Sequence, residues 1–202
     1  KSTDASNSWI VYHKDIPGNN GTGVGYLSLN TADNNSVNAN AFPTQPTDTH
    51  FTVNANYGGM NASGVTYVAY LFAHNNSDGD YGQGGDQDII KCGSYTAEGE
   101  VSLGFEPQFI ISRCVIDNAN WKINDTMRGM AGASNGTATL APNSSAAEET
   151  STMVLTPTAT GFNVGSLQDG AGTYIYIAIR RPNKPASEFA ATDLFGIDTY
   201  GS

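Results

Sequence analysis

Four carboxylates in the segment HNNSDGDYGQGGDQD, His74 to Asp88, are the residues whose types and spacing come nearest to chemistry. Asp78, Asp80, Asp86 and Asp88 lie close together among glycines, and closely spaced carboxylates on pliant backbone are what a calcium ion takes as ligands. The spacing does not fit an EF-hand loop. The plainer reading is a solvated linker made acidic for solubility, with calcium second. His13, His50 and His74 are far apart, each beside an expected strand, and read as satisfied strand-end side chains rather than metal ligands or members of a triad. Ser102 and Ser112 fall in strand patterns with no GxSxG elbow. Glu98, Glu100, Glu148 and Glu149 can be paired on paper as the acid and base of a glycosidase, but nothing sets their separation or raises one pKa. The sequence is therefore read as non-enzymatic and without a cofactor, calcium being the one reservation.

Aromatic side chains allow a different chemistry, because a lectin-like surface stacks a sugar ring on Trp or Tyr and fixes its hydroxyls with Asn and Asp. Tyr57 and Tyr81, both in loop sequence, are the candidate glycan contacts. Trp9 and Trp121 hold the same position in two halves of the chain, which favours a shared core role. Cys92 and Cys114 have neither CxxC spacing nor a neighbouring His cluster; buried free thiols are the first reading and a bridge between them the second.

The elements that must position these groups are strands. Only 14% of residues are charged while glycines number 23, a balance that suits short strands joined by polar turns. In TYIYIAIRR, Tyr174, Tyr176 and Ala178 face one way and Ile175, Ile177 and Ile179 the other, so both faces are apolar and the strand belongs in the middle of a sheet. TYVAYLFA, from Thr66 to Ala73, has the same pattern and predicts an equivalent central strand, with Tyr67 matching Tyr174. Between them, Ile89 to Tyr95, Glu100 to Leu103 and Gln108 to Cys114 read as further strands, the last opened by Pro107. A formal charge of −10 repels polyanions, so nucleic acid is not an expected partner. No apolar run approaches the roughly 20 residues that span a bilayer as a helix.

The duplication extends along the chain. SWIVYHK parallels NWKINDT, LSLN parallels TLAPN, and HFTVNAN parallels GFNVGSL, in unchanged order. The expected class is all-β, with two related antiparallel β-sandwich units of lectin-like or jelly-roll-like type in tandem. The first spans residues 1–88 and the second 89–183, followed by a connecting segment, 184–202. The segment from Ile89 to Cys114 has no counterpart ahead of Trp9, so the first unit is expected to lack its leading strands and the sequence to be an excerpt of a longer repeated polypeptide.

The series WIVYHK, FTVN, SGVTYVAYLFAHN, IIKCGSYTAEG, LGFEPQFIIS, W with DTMRG, GFNVG and TYIYIAIRRPNKP resembles an uncharacterised β-rich repeat domain of large virion structural proteins of tailed bacteriophages. The resemblance covers roughly residues 8–200. It implies a component of tail, fibre or capsid decoration, located on the virion, with other virion proteins and copies of itself as partners; a host-surface glycan is the alternative partner. The first unit departs from it, having YHKDIPG where the second has NDTMRG. The Asp125 and Arg128 pair thus has no twin, and bracing of a turn by charge-assisted hydrogen bonds is its expected role.

Overall fold

The apolar runs pair as antiparallel ladders in a computed structural model that describes residues 1–18, 24–38, 40–54, 57, 59–72, 74, 88–130, 136–151, 154–167 and 169–182. In chain order the strands are β1 (Ile10–Val11), β2 (Gly25–Ser28), β3 (Ser36–Val37), β4 (Ile90–Tyr95), β5 (Gly99–Ser102), β6 (Pro107–Cys114) and β7 (Lys122–Asp125). A 3-10 turn (Thr126–Arg128) follows, then β8 (Thr137–Thr139), β9 (Glu149–Ser151), β10 (Leu155–Thr158), β11 (Gly161–Val164) and β12 (Tyr174–Arg180). The fold is all-β and every ladder is antiparallel. The sheets run β1-β2-β3, β10-β11-β5, β4-β12-β6-β7 and β8-β9. Among the described residues no helix is long and apolar enough to cross a membrane.

β12 is central, as its two apolar faces require. Tyr174, Tyr176 and Ala178 join Phe162, Val164 and Leu155 of the β10-β11-β5 sheet in one buried cluster. Ile175 faces the other way and packs with Ile16, Leu27, Val115 and Trp121. Each such fully buried aliphatic side chain contributes roughly 1.5–3 kcal/mol, so closing both faces is the main source of stability here. Two glycines allow the close packing. A Cβ on Gly93 would meet the Tyr176 hydroxyl at 2.5 Å, and one on Gly161 would lie 2.0 Å from the Val101 carbonyl oxygen.

The repeat in the sequence is also a repeat in hydrogen bonding. The Trp9 amide donates to Asn30 Oδ1 at 2.8 Å, and the Trp121 amide to Asn143 Oδ1 at 3.0 Å. Thr3 N–H reaches the Thr66 carbonyl at 3.0 Å, as Val115 N–H reaches that of Thr173 at 2.9 Å. The Tyr67 hydroxyl accepts from the Ala62 amide at 2.9 Å, and the Tyr174 hydroxyl from the Asp169 amide at 3.0 Å. The pairings Val11 with Leu27 and Ile123 with Leu140 correspond, as do Ser2 with Tyr67 and Cys114 with Tyr174. Partners stand about 112 residues apart near the tryptophans and about 107 apart near the tyrosines.

One expectation fails. TYVAYLFA does not form a buried central strand: Tyr67 makes an isolated bridge, residues 68–72 carry no ladder, and Tyr70, Leu71 and Phe72 are 68%, 75% and 50% exposed. Tyr174, by contrast, is 0% exposed. The cause is the neighbours rather than the strand. β12 lies between β4 and β6, whose sequences have no counterpart in the first unit. Among the described residues the stretch Lys1 to Thr3 stands where β6 would, with Val68 N–H donating to the Lys1 carbonyl at 3.0 Å.

The two units share a core. Ile16 and Leu27 of the first bury against Val115, Trp121 and Ile175 of the second. Arg113 on β6, fully buried, donates to the carbonyls of Ser28 at 3.3 Å and Thr31 at 2.9 Å, and also to that of Asp33. Trp121 Nε1 adds a bond to the Ser28 carbonyl at 2.9 Å while its ring lies 5.5 Å from the Arg113 guanidinium.

Candidate functional site

Two of the residues whose carbonyls Arg113 holds, Ser28 and Asp33, also line a 270 Å³ cleft in the first unit. Tyr26 comes from β2, opposite Ser36 of β3. Tyr57 arrives from the loop beyond, resting on the cluster of Val24, Ala41 and Phe42. Their rings meet edge to face at 6.5 Å, and their hydroxyls share a hydrogen bond at 3.0 Å. Asn7, Asp33 and Asn34, with Ser8, Ser28 and Ser36, make the rest of the polar lining. Burial, reinforced by the Tyr26 hydrogen bond, pushes the Tyr57 phenol up to about 12, so it stays a neutral donor and acceptor throughout the physiological range.

Aromatic rings beside amides and one carboxylate can hold a polyhydroxylated ring by stacking and hydroxyl hydrogen bonds. The volume lies just below the roughly 300–1,000 Å³ of small-molecule sites, room for about one sugar ring.

Of the residues singled out in the sequence, Tyr57 lies in this cleft. Asp78, Asp80, Asp86 and Tyr81 lie outside the described residues. Asp88 is buried, and Lys91 Nζ approaches its carboxylate at 3.9 Å. Among the described residues no three His, Cys, Asp or Glu side chains gather as a metal site would require. Trp121 is buried in the core, whereas Trp9 is half-buried and stacks on Tyr70 at 6.0 Å.

Asp125 caps the turn after β7. Its carboxylate accepts from the Arg128 amide at 2.9 Å and from Arg128 Nε at 2.7 Å, while Arg128 Nη1 reaches Glu148 at 2.7 Å. Gly129, at φ 98°, closes the turn.

His13 is buried in the neutral form. Its Nδ1 accepts from the Asp15 amide at 3.1 Å, and its Nε2–H donates to the Tyr176 carbonyl at 3.1 Å. His74 Nδ1 accepts from the Cys92 amide at 3.3 Å, and His50 Nδ1 lies 3.0 Å from the Thr47 hydroxyl. Cys92 and Cys114 are free and buried. They stand on β4 and β6 with β12 between them, Cys92 opposite Ile177 and Cys114 opposite Tyr174. Two strand spacings and a three-residue offset put them roughly 14 Å apart, beyond the ~7 Å Cα separation a disulfide tolerates.

Sequence reasoning missed Tyr26, Asp33 and Arg113. For Arg113 a signal exists: a cation inside the apolar run FIISRC has to find acceptors when the strand is buried.

A family model for a domain of unknown function, DUF7483, matches residues 1–182. No curated protein and no solved structure matches the chain.

Proposed function

Because the chain belongs to DUF7483, a family described only as a domain of unknown function, we propose from its geometry that it is a non-enzymatic structural module, a rigid repeat of a tailed-phage virion. The observation that carries this reading is the interlocking of two copies of one hydrogen-bonding pattern through a common core and the Arg113 clamp. Units joined in that way transmit load without a hinge between them, which suits a tail, fibre or capsid decoration. The phage setting rests on the resemblance of the sequence motifs. On this reading the partners are other virion proteins and further copies of the module, with no cofactor and no nucleic acid. Mass spectrometry of purified particles from a phage encoding the chain, with antibody labelling in electron micrographs, tests it. Peptides at structural stoichiometry and label at a fixed position support the reading, and particles lacking the chain overturn it.

The cleft favours a second reading, in which the same module contacts a host-surface glycan through Tyr26, Tyr57 and the neighbouring Asn34 and Asp33.

A further inference from the structure

The chemistry of the cleft is not part of the repeated fold. The β2–β3 pairing of Tyr26 with Ser36 has its counterpart in the β8–β9 pairing of Thr139 with Glu149, and Leu27 answers to Leu140. Carried along the sequence in step, Asp33 and Asn34 stand where the second unit has Ala146 and Ala147. One unit thus folds with a threonine and two alanines where the other carries a phenol, a carboxylate and an amide. The ladder does not require those three groups.

Their charge layout is specific. Asp33 is the one charged side chain among the described residues that line the cleft, and it is exposed. Arg113 holds it through the main-chain carbonyl rather than the carboxylate. The guanidinium itself is fully buried, donates to the carbonyls of Ser28, Thr31 and Asp33, and is not among the lining groups. A ligand in the cleft therefore meets a carboxylate directly and a cation only behind the wall.

An ionised carboxylate accepts hydrogen bonds and donates none. Two adjacent hydroxyls of a sugar ring can donate to its two oxygens, and such charge-assisted bonds are stronger than neutral ones. The Tyr26 and Tyr57 hydroxyls and the Asn34 amide supply donors as well as acceptors. A sugar carboxylate brings no hydrogen to Asp33 at neutral pH and adds like-charge repulsion, on a chain whose formal charge is already −10.

Resting on the glycan reading of this cleft, we propose that its ligands are uncharged sugars with two adjacent free hydroxyls, and that Asp33 selects them against acidic sugars such as uronic and sialic acids. Tyr57 supplies affinity for either class, and Asp33 discriminates between them. Selectivity here comes from an unfavourable contact with the wrong ligand as much as from a favourable one with the right.

Matched probes separate the two roles. The methyl glycosides of glucose, galactose and mannose differ from those of the corresponding uronic acids only in the oxidation of C6, so each pair holds the rest of the ring constant. Titration of the isotope-labelled full chain, followed by NMR shifts of the cleft residues, is expected to show at least one neutral glycoside binding about tenfold or more tightly than its uronate. Asp33→Asn removes the carboxylate and keeps the carbonyl that Arg113 holds, while the buried Arg113 charge loses the nearby anion that offset it. In that variant the neutral glycoside is expected to bind about tenfold more weakly, the loss of one charge-assisted bond, and its preference over the uronate to fall below about threefold. Tyr57→Ala weakens both members of a pair and leaves their ratio unchanged. A uronate that binds the parent as tightly as its neutral partner overturns the proposal and leaves the glycan reading standing. Full preference retained in Asp33→Asn also overturns the proposal. Absence of shifts at the cleft with every neutral glycoside and every uronate overturns the reading and the proposal together.

Discussion

Arg113 donates to the carbonyl of Thr31 at 2.9 Å, across 82 residues of chain and across the boundary between the two repeats. The guanidinium is fully buried, and its charge is met mainly by backbone carbonyls rather than by a carboxylate in direct contact. Desolvation pushes its pKa down, with the nearby Asp33 carboxylate opposing that shift. A planar fork of donors is what lets one side chain hold carbonyls at residues 28, 31 and 33 together.

Arg113→Met is therefore expected to lower stability by about 3 kcal/mol, since it removes charge-assisted hydrogen bonds to three part-buried carbonyls, of which that of Ser28 keeps its bond from Trp121, such bonds being worth ~1.5–3 kcal/mol each. Arg113→Lys keeps the charge but not the fork, and is expected to recover less than half of that loss. Urea denaturation of the three proteins checks both. A Met variant within about 0.5 kcal/mol of the parent, the range of an ordinary surface substitution, would show that the clamp contributes little.

Lys122 pairs with Asp169 in the second unit, and both are largely buried. The equivalent residues of the first unit are Ile10 and Ala62, so one fold position is filled by an ion pair in one copy and by apolar side chains in the other. Asp169→Asn is expected to cost about 2–3 kcal/mol, somewhat below the roughly 3–5 for a fully enclosed pair, because Asp169 retains some solvent contact. The double variant Lys122→Ile/Asp169→Ala copies the first unit and is expected to regain most of that loss. Thermal melts of single and double variants decide whether the pair is replaceable.

His13 makes stability depend on pH. Burial lowers its pKa below the ordinary 6.5, against the opposing pull of the Tyr176 carbonyl and Asp15, with Lys14 and His74 adding to the lowering. Protonation would also place a hydrogen on Nδ1, where the Asp15 amide now donates. Above 6.5 the ring is neutral in folded and unfolded chains alike and its contribution is intact. As pH falls below 6.5 the unfolded chain takes up the proton first, and stability declines until the folded pKa is passed. Melting curves between about pH 7.5 and 5, a window reaching about one unit above 6.5 and about one and a half below it, are expected to show this decline and a smaller one in His13→Gln. Parallel curves would remove His13 as the source.

These residues also show how far the sequence could be read. β4, β5, β6 and β12 follow from apolar alternation and turn composition because those signals are local. TYVAYLFA carries the same local pattern, yet its burial depends on flanking strands that pair over long range, so propensity alone misplaces it. Tyr57 was legible as an aromatic in a loop, while its companions Tyr26 and Asp33 were not, since residues 7–10, 26–36 and 57–59 are separate in sequence and meet around the cleft only in the fold.

Cys92 is a buried thiol pushed up to about 11, chiefly by desolvation. At pH 8 only about one molecule in a thousand would carry the thiolate that reacts. Labelling by a thiol-specific reagent is expected to be slow in the native protein, with both cysteines reacting promptly in urea. Rapid native labelling of Cys92 would place it at the surface instead.

The cleft makes the last prediction specific. If Tyr57 provides the face on which a sugar ring stacks, Tyr57→Ala removes that face, while Tyr57→Phe keeps the ring and loses only the hydroxyl bond to Tyr26. Stacking of this kind is worth about 0.5–1.5 kcal/mol beyond simple burial, and the lost contact area adds to it. Tyr57→Ala is thus expected to weaken binding to any glycan captured on an array about tenfold or more, the equivalent of 1.4 kcal/mol. Tyr57→Phe should bind within about threefold of the parent, the neutral–neutral hydrogen bond it lacks being the weaker of the two terms. Circular dichroism establishes that both variants keep the β fold. Binding that survives Tyr57→Ala undiminished would leave the cleft without a role in recognition, and the module as scaffold alone.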